Sequence, residues 1–177
     1  MKKLLVLLFS ILISFNSYGE TKYEYYENGQ IQSEENYKND KLDGKATYWY
    51  ENGQKASEGN YKDGKMDGKW TWWYENGQIE WERNYKEGRS HGKWIQWHEN
   101  STKHVERHYK NEKFEGKWTW WNEDGQKKAQ GKYKANKKNG KWTYWNSQGE
   151  MTKAKYKNGK CASDYCPDWR WGTSLID

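Results

Sequence analysis

A glycine, a tyrosine and a tryptophan each recur every 24 residues along this 177-residue chain. Gly44, Gly68, Gly92, Gly116 and Gly140 keep the step, as do Tyr37, Tyr61, Tyr85, Tyr109 and Tyr133, and Trp49, Trp73, Trp97, Trp121 and Trp145. Gly29, Gly53 and Gly77 follow it, Ser101 breaks it, and Gly125 and Gly149 resume it. The last copy is one residue short, because Tyr156 comes 23 residues after Tyr133. Such a period means that each copy is one supersecondary unit that buries its apolar face only against its neighbours. The mean hydropathy of −1.50 alone points to disorder. Against that stand 14 Trp and 15 Tyr, each able to bury on the order of 150–250 Å².

Residues 68–85 (GKWTWWYENGQIEWERNY) typify a copy. Asn76-Gly77, set between runs rich in aromatic and β-branched residues, predicts a hairpin closed by a two-residue type I′ turn, because both residues tolerate positive φ. Asn28-Gly29, Asn52-Gly53 and Asp124-Gly125 repeat the signal. With that turn, facing residue numbers sum to 153. Gly68 then faces Tyr85, Trp70 faces Arg83, Trp72 faces Trp81 and Tyr74 faces Ile79, all on one side of the pleat. Lys69/Asn84, Thr71/Glu82, Trp73/Glu80 and Glu75/Gln78 take the other. The first side is aromatic and is the expected core; the second is polar with a single Trp. Each tyrosine is expected to fold its ring over the glycine it faces. Connectors such as residues 86–91 join one hairpin to the next. The predicted fold is all-β: one elongated, twisted antiparallel sheet of stacked hairpins, about eleven strands at about 4.8 Å, roughly 50 Å long.

The chain divides into three segments. Met1-Lys2-Lys3, the apolar run Leu4 to Phe15 and the small residues Ser17 and Gly19 read as a secretory signal peptide over residues 1–19. The 12 residues of that run make roughly 18 Å of helix, short of a bilayer core of about 30 Å. Cleavage is expected near Gly19, with export to the periplasm or the extracellular space. The repeat array covers residues 20–160 and a cysteine-containing tail covers residues 161–177. After residue 19 the chain holds 29 Lys and Arg against 25 Asp and Glu, with the signs mixed throughout. That mixing argues against nucleic acid as a partner.

The pattern GKWTWWYENGQ followed by Y-K-x-G-K-x-x-G resembles the MORN repeat, in the variant found in YwqK-family antitoxin-like proteins, over about residues 23–160. The resemblance implies an elongated sheet of stacked hairpins and a role in protein–protein contact, dimerisation or membrane-lipid contact. It supplies no catalytic residues, cofactor or metal ligands.

The candidate chemistry is sparse. His91, His98, His104 and His108 fall in or beside one copy. His104 and His108, four apart on a predicted strand, stand roughly 13 Å apart, too far to share an ion held at about 2.1 Å. The columns Glu27, Glu51, Glu75, Glu99, Glu123 and Lys62, Lys86, Lys110, Lys134 read as a solvated mixed-charge surface. Trp49, Trp73, Trp97, Trp121 and Trp145 stand on the polar side. They form either a ladder that grips a glycan or an extended peptide, or rings that lie over neighbouring Lys stems and close a thin sheet. Lys62, Lys65, Lys86, Arg89, Lys110 and Lys113 in the connectors are candidate contacts for anionic lipid. Cys161 and Cys166 suit a local disulfide that staples the tail, including residues 167–171, over the open sheet edge. These features together describe an exported, non-enzymatic protein-binding or scaffold module. Binding to an envelope polymer (glycan or peptidoglycan) or to anionic lipid, and an extracytoplasmic immunity role, stay open beside it, as does a homodimer formed through the sheet edges.

Overall fold

The computed structural model describes residues 14–16, 19–163 and 166–167. The apolar run of the expected leader and tail residues 168–171 lie outside the described residues, apart from the short strand β1. Sixteen strands form one antiparallel sheet. They are β1 (Ser14–Asn16), β2 (Gly19–Tyr25), β3 (Ile31–Lys38), β4 (Lys41–Trp49), β5 (Lys55–Lys62), β6 (Lys65–Trp73), β7 (Ile79–Lys86), β8 (Arg89–Ser90), β9 (Gly92–Trp97), β10 (Lys103–Lys110), β11 (Lys113–Phe114), β12 (Gly116–Trp121), β13 (Lys127–Lys134), β14 (Lys137–Trp145), β15 (Met151–Lys157) and β16 (Lys160–Cys161). Neighbours in sequence are neighbours in space, with no crossover. β8 and β11 are short leaders into β9 and β12.

The two kinds of turn are distributed differently from the sequence expectation. At Asn76-Gly77 the Gly77 N–H donates to the Tyr74 carbonyl at 2.9 Å and the Tyr74 N–H to the Gln78 carbonyl at 2.8 Å. Gly77 alone is left-handed there, with φ of 81°. This is a type I turn over Glu75-Asn76 closed by a glycine bulge, a three-residue loop rather than a type I′ reversal. The Asn76 Oδ1 fixes it by accepting from the Gln78 N–H at 2.9 Å. Type I′ geometry, with positive φ at both central residues, sits instead in the connectors: Asn39-Asp40 (50° and 58°), Asp63-Gly64 (50° and 77°) and Asn158-Gly159 (51° and 82°).

Moving the turn by half a residue requires a compensating bulge. From Gly68↔Tyr85 to Trp72↔Trp81 the register is the expected one, but Trp73 then pairs with Ile79. Glu80 is the extra residue, and Ile79 therefore shares the polar side with Trp73 rather than facing Tyr74. Ala56, His104 and Lys128 are the corresponding extra residues in the hairpins β4–β5, β9–β10 and β12–β13. The last hairpin, β14–β15, pairs without a shift from Gly140↔Tyr156 to Trp145↔Met151. Its missing residue is the bulge residue, which accounts for the step of 23.

The aromatic side is the core, as expected, although among the described residues no second layer covers it. Trp70 and Trp142 are each only 1% exposed. In the four copies that start at Gly68, Gly92, Gly116 and Gly140 an indole lies back over the preceding hairpin, and its Nε1–H donates to a backbone carbonyl there: Trp70 to Asn60 at 3.0 Å, Trp94 to Asn84 at 2.9 Å, Trp118 to His108 at 3.4 Å and Trp142 to Lys132 at 3.2 Å. The copy that starts at Gly44 carries the buried Ala46 instead. Under the rings of Trp70 and Trp142 lie Gly59 and Gly131, where a Cβ would come within 2.2 and 2.1 Å of the indole. Under Trp94 and Trp118 the same position carries Arg83 and Arg107, whose guanidinium carbons lie 4.8 and 5.3 Å from the ring centres. The glycines that face the tyrosines serve a different purpose from the one expected. Gly68 has nothing within 4 Å of its Cβ direction and a φ of 80°, so it is a left-handed strand kink rather than a seat for a ring.

Adding one methyl group at Gly59 or Gly131 should therefore destabilise the sheet by overpacking. Gly59→Ala and Gly131→Ala are each expected to lower unfolding stability by about 1–3 kcal/mol, measured by urea denaturation.

Candidate functional site

The polar face is built by alternation from the aromatic one. Wherever Trp70 or Trp118 points into the core, Lys69 and Thr71, or Lys117 and Thr119, point to the other side. On that side the five expected tryptophans form a row near the Asn-Gly turns, and all five are half-buried. They do not stand alone. Trp49 pairs with Lys55, Trp73 with Ile79, Trp97 with Lys103, Trp121 with Lys127 and Trp145 with Met151. Each of three lysines reaches the tryptophan of the next hairpin: Lys55 Nζ lies 5.7 Å from the Trp73 ring centre, Lys103 5.6 Å from Trp121 and Lys127 5.9 Å from Trp145. Three of the five rings, Trp73, Trp121 and Trp145, thus lie under ammonium groups in a Trp–Lys band that Ile79 interrupts. Hydroxyls tie the band together: Tyr26 donates to the Trp49 carbonyl at 2.6 Å, and Tyr50 and Tyr74 to those of Trp73 and Trp97 at 2.7 Å.

Beside the band runs a row of ion pairs. Lys45 and Lys55 reach Glu58 at 3.1 and 2.6 Å, Lys69 reaches Glu82, and Lys93 and Lys103 reach Glu106 at 3.1 and 3.3 Å. The Lys55 hydrogen bond chiefly holds the Glu58 carboxyl below its usual range. At Glu106 desolvation pushes the other way, but Lys93 and Lys103 outweigh it and the carboxyl is again lowered. These partners are solvent-facing, so each pair contributes little to stability.

The turns divide charge between the two long rims of the sheet. The candidate lipid contacts come together as directly opposed pairs across type I′ turns: Lys62↔Lys65, Lys86↔Arg89 and Lys110↔Lys113. Lys38↔Lys41, Lys134↔Lys137 and Lys157↔Lys160 extend this row of basic pairs, and Asp40, Asp63, Glu87 and Glu112 in the turns between them interleave carboxylates with the lysines. The opposite rim carries Glu27, Glu51, Glu75, Glu99 and Glu123, all exposed, and its loops 26–30, 50–54, 74–78, 98–102, 122–126 and 146–150 contain no Lys or Arg. The two acid and base columns of the sequence therefore stand a strand length apart, on opposite rims.

Of the histidines, the structure brings His98 against His104, with ring centroids 4.4 Å apart and planes at 28°. His104 is the bulge residue of its hairpin, which is why it turns toward the loop. His108 instead places Nδ1 2.9 Å from the Lys117 carbonyl. Among the described residues no group of three or more His, Cys, Asp or Glu is placed to hold a metal ion. Cys161 and Cys166 are joined, with Cα atoms 6.2 Å apart. Just before the bond closes, the Ala162 N–H donates to the Lys155 carbonyl at 2.7 Å and the Ser163 Oγ accepts from the Lys155 N–H at 2.5 Å. Residues 160–163 thus cover the outer edge of β15.

A family model described as the MORN repeat variant matches residues 21–39, 42–63, 66–87, 90–111 and 114–135. Each matched segment spans one hairpin with its Asn-Gly-type turn, and the hairpin β14–β15 beyond the last segment repeats the same pairing. No curated protein matches the chain.

The His98–His104 stack predicts acid sensitivity. Desolvation, then the neighbouring His98 and Arg107, hold the His104 pKa below 6.5. An unfolded histidine protonates near 6.5, so below that pH the unfolded chain takes up protons that the folded chain resists. Stability is full above about pH 6.5 and falls as pH drops toward the depressed folded pKa. Thermal unfolding midpoints measured between neutral and acid pH should decline less in His104→Gln than in the parent chain.

Proposed function

Because the chain belongs to the MORN repeat variant family, we propose that it is a non-enzymatic scaffold that holds a partner protein across its stacked hairpins. The observation that carries this reading is the repetition of the polar face. The tryptophan row returns on five successive hairpins and the Lys–Glu pairs on three of them, so the contact surface is distributed along the sheet rather than gathered at one reacting point. A reacting centre needs a nucleophile or base held by converging partners. On the hairpins β4–β5, β6–β7 and β9–β10 the charged groups of this face are bonded to one another instead, with lysine side chains that stay 42–58% exposed.

Export fits the same reading. Residues 1–19 have the order of a secretory leader, and the Cys161–Cys166 bond suits an oxidising compartment. A partner in or near the cell envelope follows. The row of opposed basic pairs favours a second reading, in which Lys62, Lys65, Lys86, Arg89, Lys110 and Lys113 meet an anionic lipid surface while the rim of Glu27, Glu51, Glu75, Glu99 and Glu123 faces away. An immunity role of the antitoxin-like kind is one form the scaffold takes if its partner is a toxin met outside the cytoplasm.

The partner-binding reading is tested by affinity capture from envelope extract with the parent chain and with Trp73→Ala/Trp97→Ala/Trp121→Ala. The parent should retain a discrete protein that the triple variant loses at least about tenfold, with circular dichroism unchanged. Equal capture by both chains would exclude the Trp–Lys band as the docking surface.

A further inference from the structure

The row of carboxylates on the polar face stops before the sheet does. Glu58, Glu82 and Glu106 each neutralise lysines of their own hairpin. At the next two equivalent positions stand Gln130, facing Thr119, and Lys153, facing Thr143. Gln130 spends its amide on the Thr119 hydroxyl at 3.0 Å. The lysines around them are left without the carboxylate their counterparts have. Lys117 faces Lys132 and Lys141 faces Lys155 on directly paired strands, and Lys127 faces Trp121. With Lys153 they make six exposed lysines, none of which, among the described residues, forms an ion pair with a carboxylate. The sequence bias is local: residues 116–160 hold twelve lysines against only Glu123, Asp124 and Glu150.

Like charges directly opposite on adjacent strands destabilise a sheet. Two such lysine pairs side by side, on a face whose earlier copies carry the neutralising group, are a local cost that an anionic ligand relieves. We propose that the polar face of the last two hairpins, β12–β13 and β14–β15, binds an acidic polysaccharide, a linear polymer with carboxylate or sulfate groups on its sugar units.

The surface chemistry selects this occupant. Single-stranded nucleic acid is gripped by bases stacked on open ring faces, whereas Trp121 and Trp145 are half-buried beneath the ammonium groups of Lys103 and Lys127. A bilayer is gripped by inserted apolar side chains, and Met151, 60% exposed, is the large hydrophobic residue this patch lays open. What the face presents is a plane of ammonium groups with the Thr143 hydroxyl among them. That donor set matches the carboxylates, sulfates and hydroxyls of a hydrated acidic glycan. The site goes beyond the partner-protein reading, because its charge is peculiar to the end of the array rather than repeated along it.

The test measures binding of the full chain to polygalacturonate. Gln130→Glu/Lys153→Glu restores the carboxylate column of the earlier hairpins. It should weaken binding by at least about tenfold while thermal unfolding shows the chain still folded. Gln32→Glu/Lys41→Glu makes the same change in net charge near the opposite end of the sheet and should leave binding unchanged. Lys141→Gln/Lys155→Gln, at two exposed positions, provides a second reading should the first variant fail to fold, and binding to the parent chain should fall as salt rises. Equal affinity in the parent and both patch variants, an equal loss in the distant variant, or tighter binding to oligothymidylate or to phosphatidylglycerol vesicles than to polygalacturonate would each overturn the proposal.

Discussion

The contact on which this sheet depends is an indole lying flat on the preceding hairpin with its N–H on a backbone carbonyl. A sheet buries its apolar face against a second layer in most domains, and among the described residues there is none. The rings supply the missing layer by lying along the sheet instead of standing up from it. That posture demands something flat or empty beneath each ring. Gly59 and Gly131 meet the demand by having no side chain, and Arg83 and Arg107 meet it with a planar guanidinium. Arg83 is sandwiched further, 3.9 Å from the Trp81 ring centre and 5.1 Å from Trp72. A cation within a few ångströms of ring faces is stabilised by their quadrupoles, so the two arginines belong to the core and not to the exposed charge of the molecule.

The ring layer in turn fixes what the backbone must do. Each unit turns by a type I loop at one rim and a type I′ loop at the other, and in every hairpin but β14–β15 a bulge opposite the tryptophan row absorbs the odd residue between them. Much of this was legible in the residues. The two faces, and the pairing from Gly68↔Tyr85 to Trp72↔Trp81, follow from alternation and one turn position. The turn type did not follow, because Asn-Gly suits a type I′ reversal and equally the last two positions of a type I turn with a glycine bulge; only the bulge at Glu80 distinguishes them. Asp63-Gly64 and Asn158-Gly159 carried the same dipeptide signal in the connectors, where the type I′ geometry lies. Gly59 and Gly131 break the column that Arg83 and Arg107 share, so they do not stand out as a repeat, and the ring above them belongs to a different copy.

The candidate site was legible in a different way. Periodicity draws attention to what the copies share: the tryptophan row, which the folded chain engages with Lys55, Lys103 and Lys127, and the rim lysines, which stand a strand length away. Information about a ligand lies in the departures. His104 gains its contact with His98 only because it is the bulge residue of its hairpin. Gln130 and Lys153 matter only because Glu58, Glu82 and Glu106 precede them on the same row, a comparison that needs the register and not the sequence step alone.

These departures also bear on how one array can serve two kinds of contact. In the first hairpins the lysines of the polar face are bonded to glutamates, so an approaching anion would have to displace a carboxylate already in place. In the last hairpins it would meet ammonium groups that repel one another across paired strands. The repulsion falls off over a Debye length of about 8 Å at physiological salt, comparable to the roughly 9.6 Å between alternate strands. Each lysine pair is therefore felt mainly by its neighbours, and the cationic character stays at that end instead of spreading along the sheet. A nearest-neighbour repeat architecture tolerates this, because a cost confined to one interface does not unfold the others. The edge beyond β15 is the place where such a cost most needs support, and there residues 160–163 and the Cys161–Cys166 bond close the sheet.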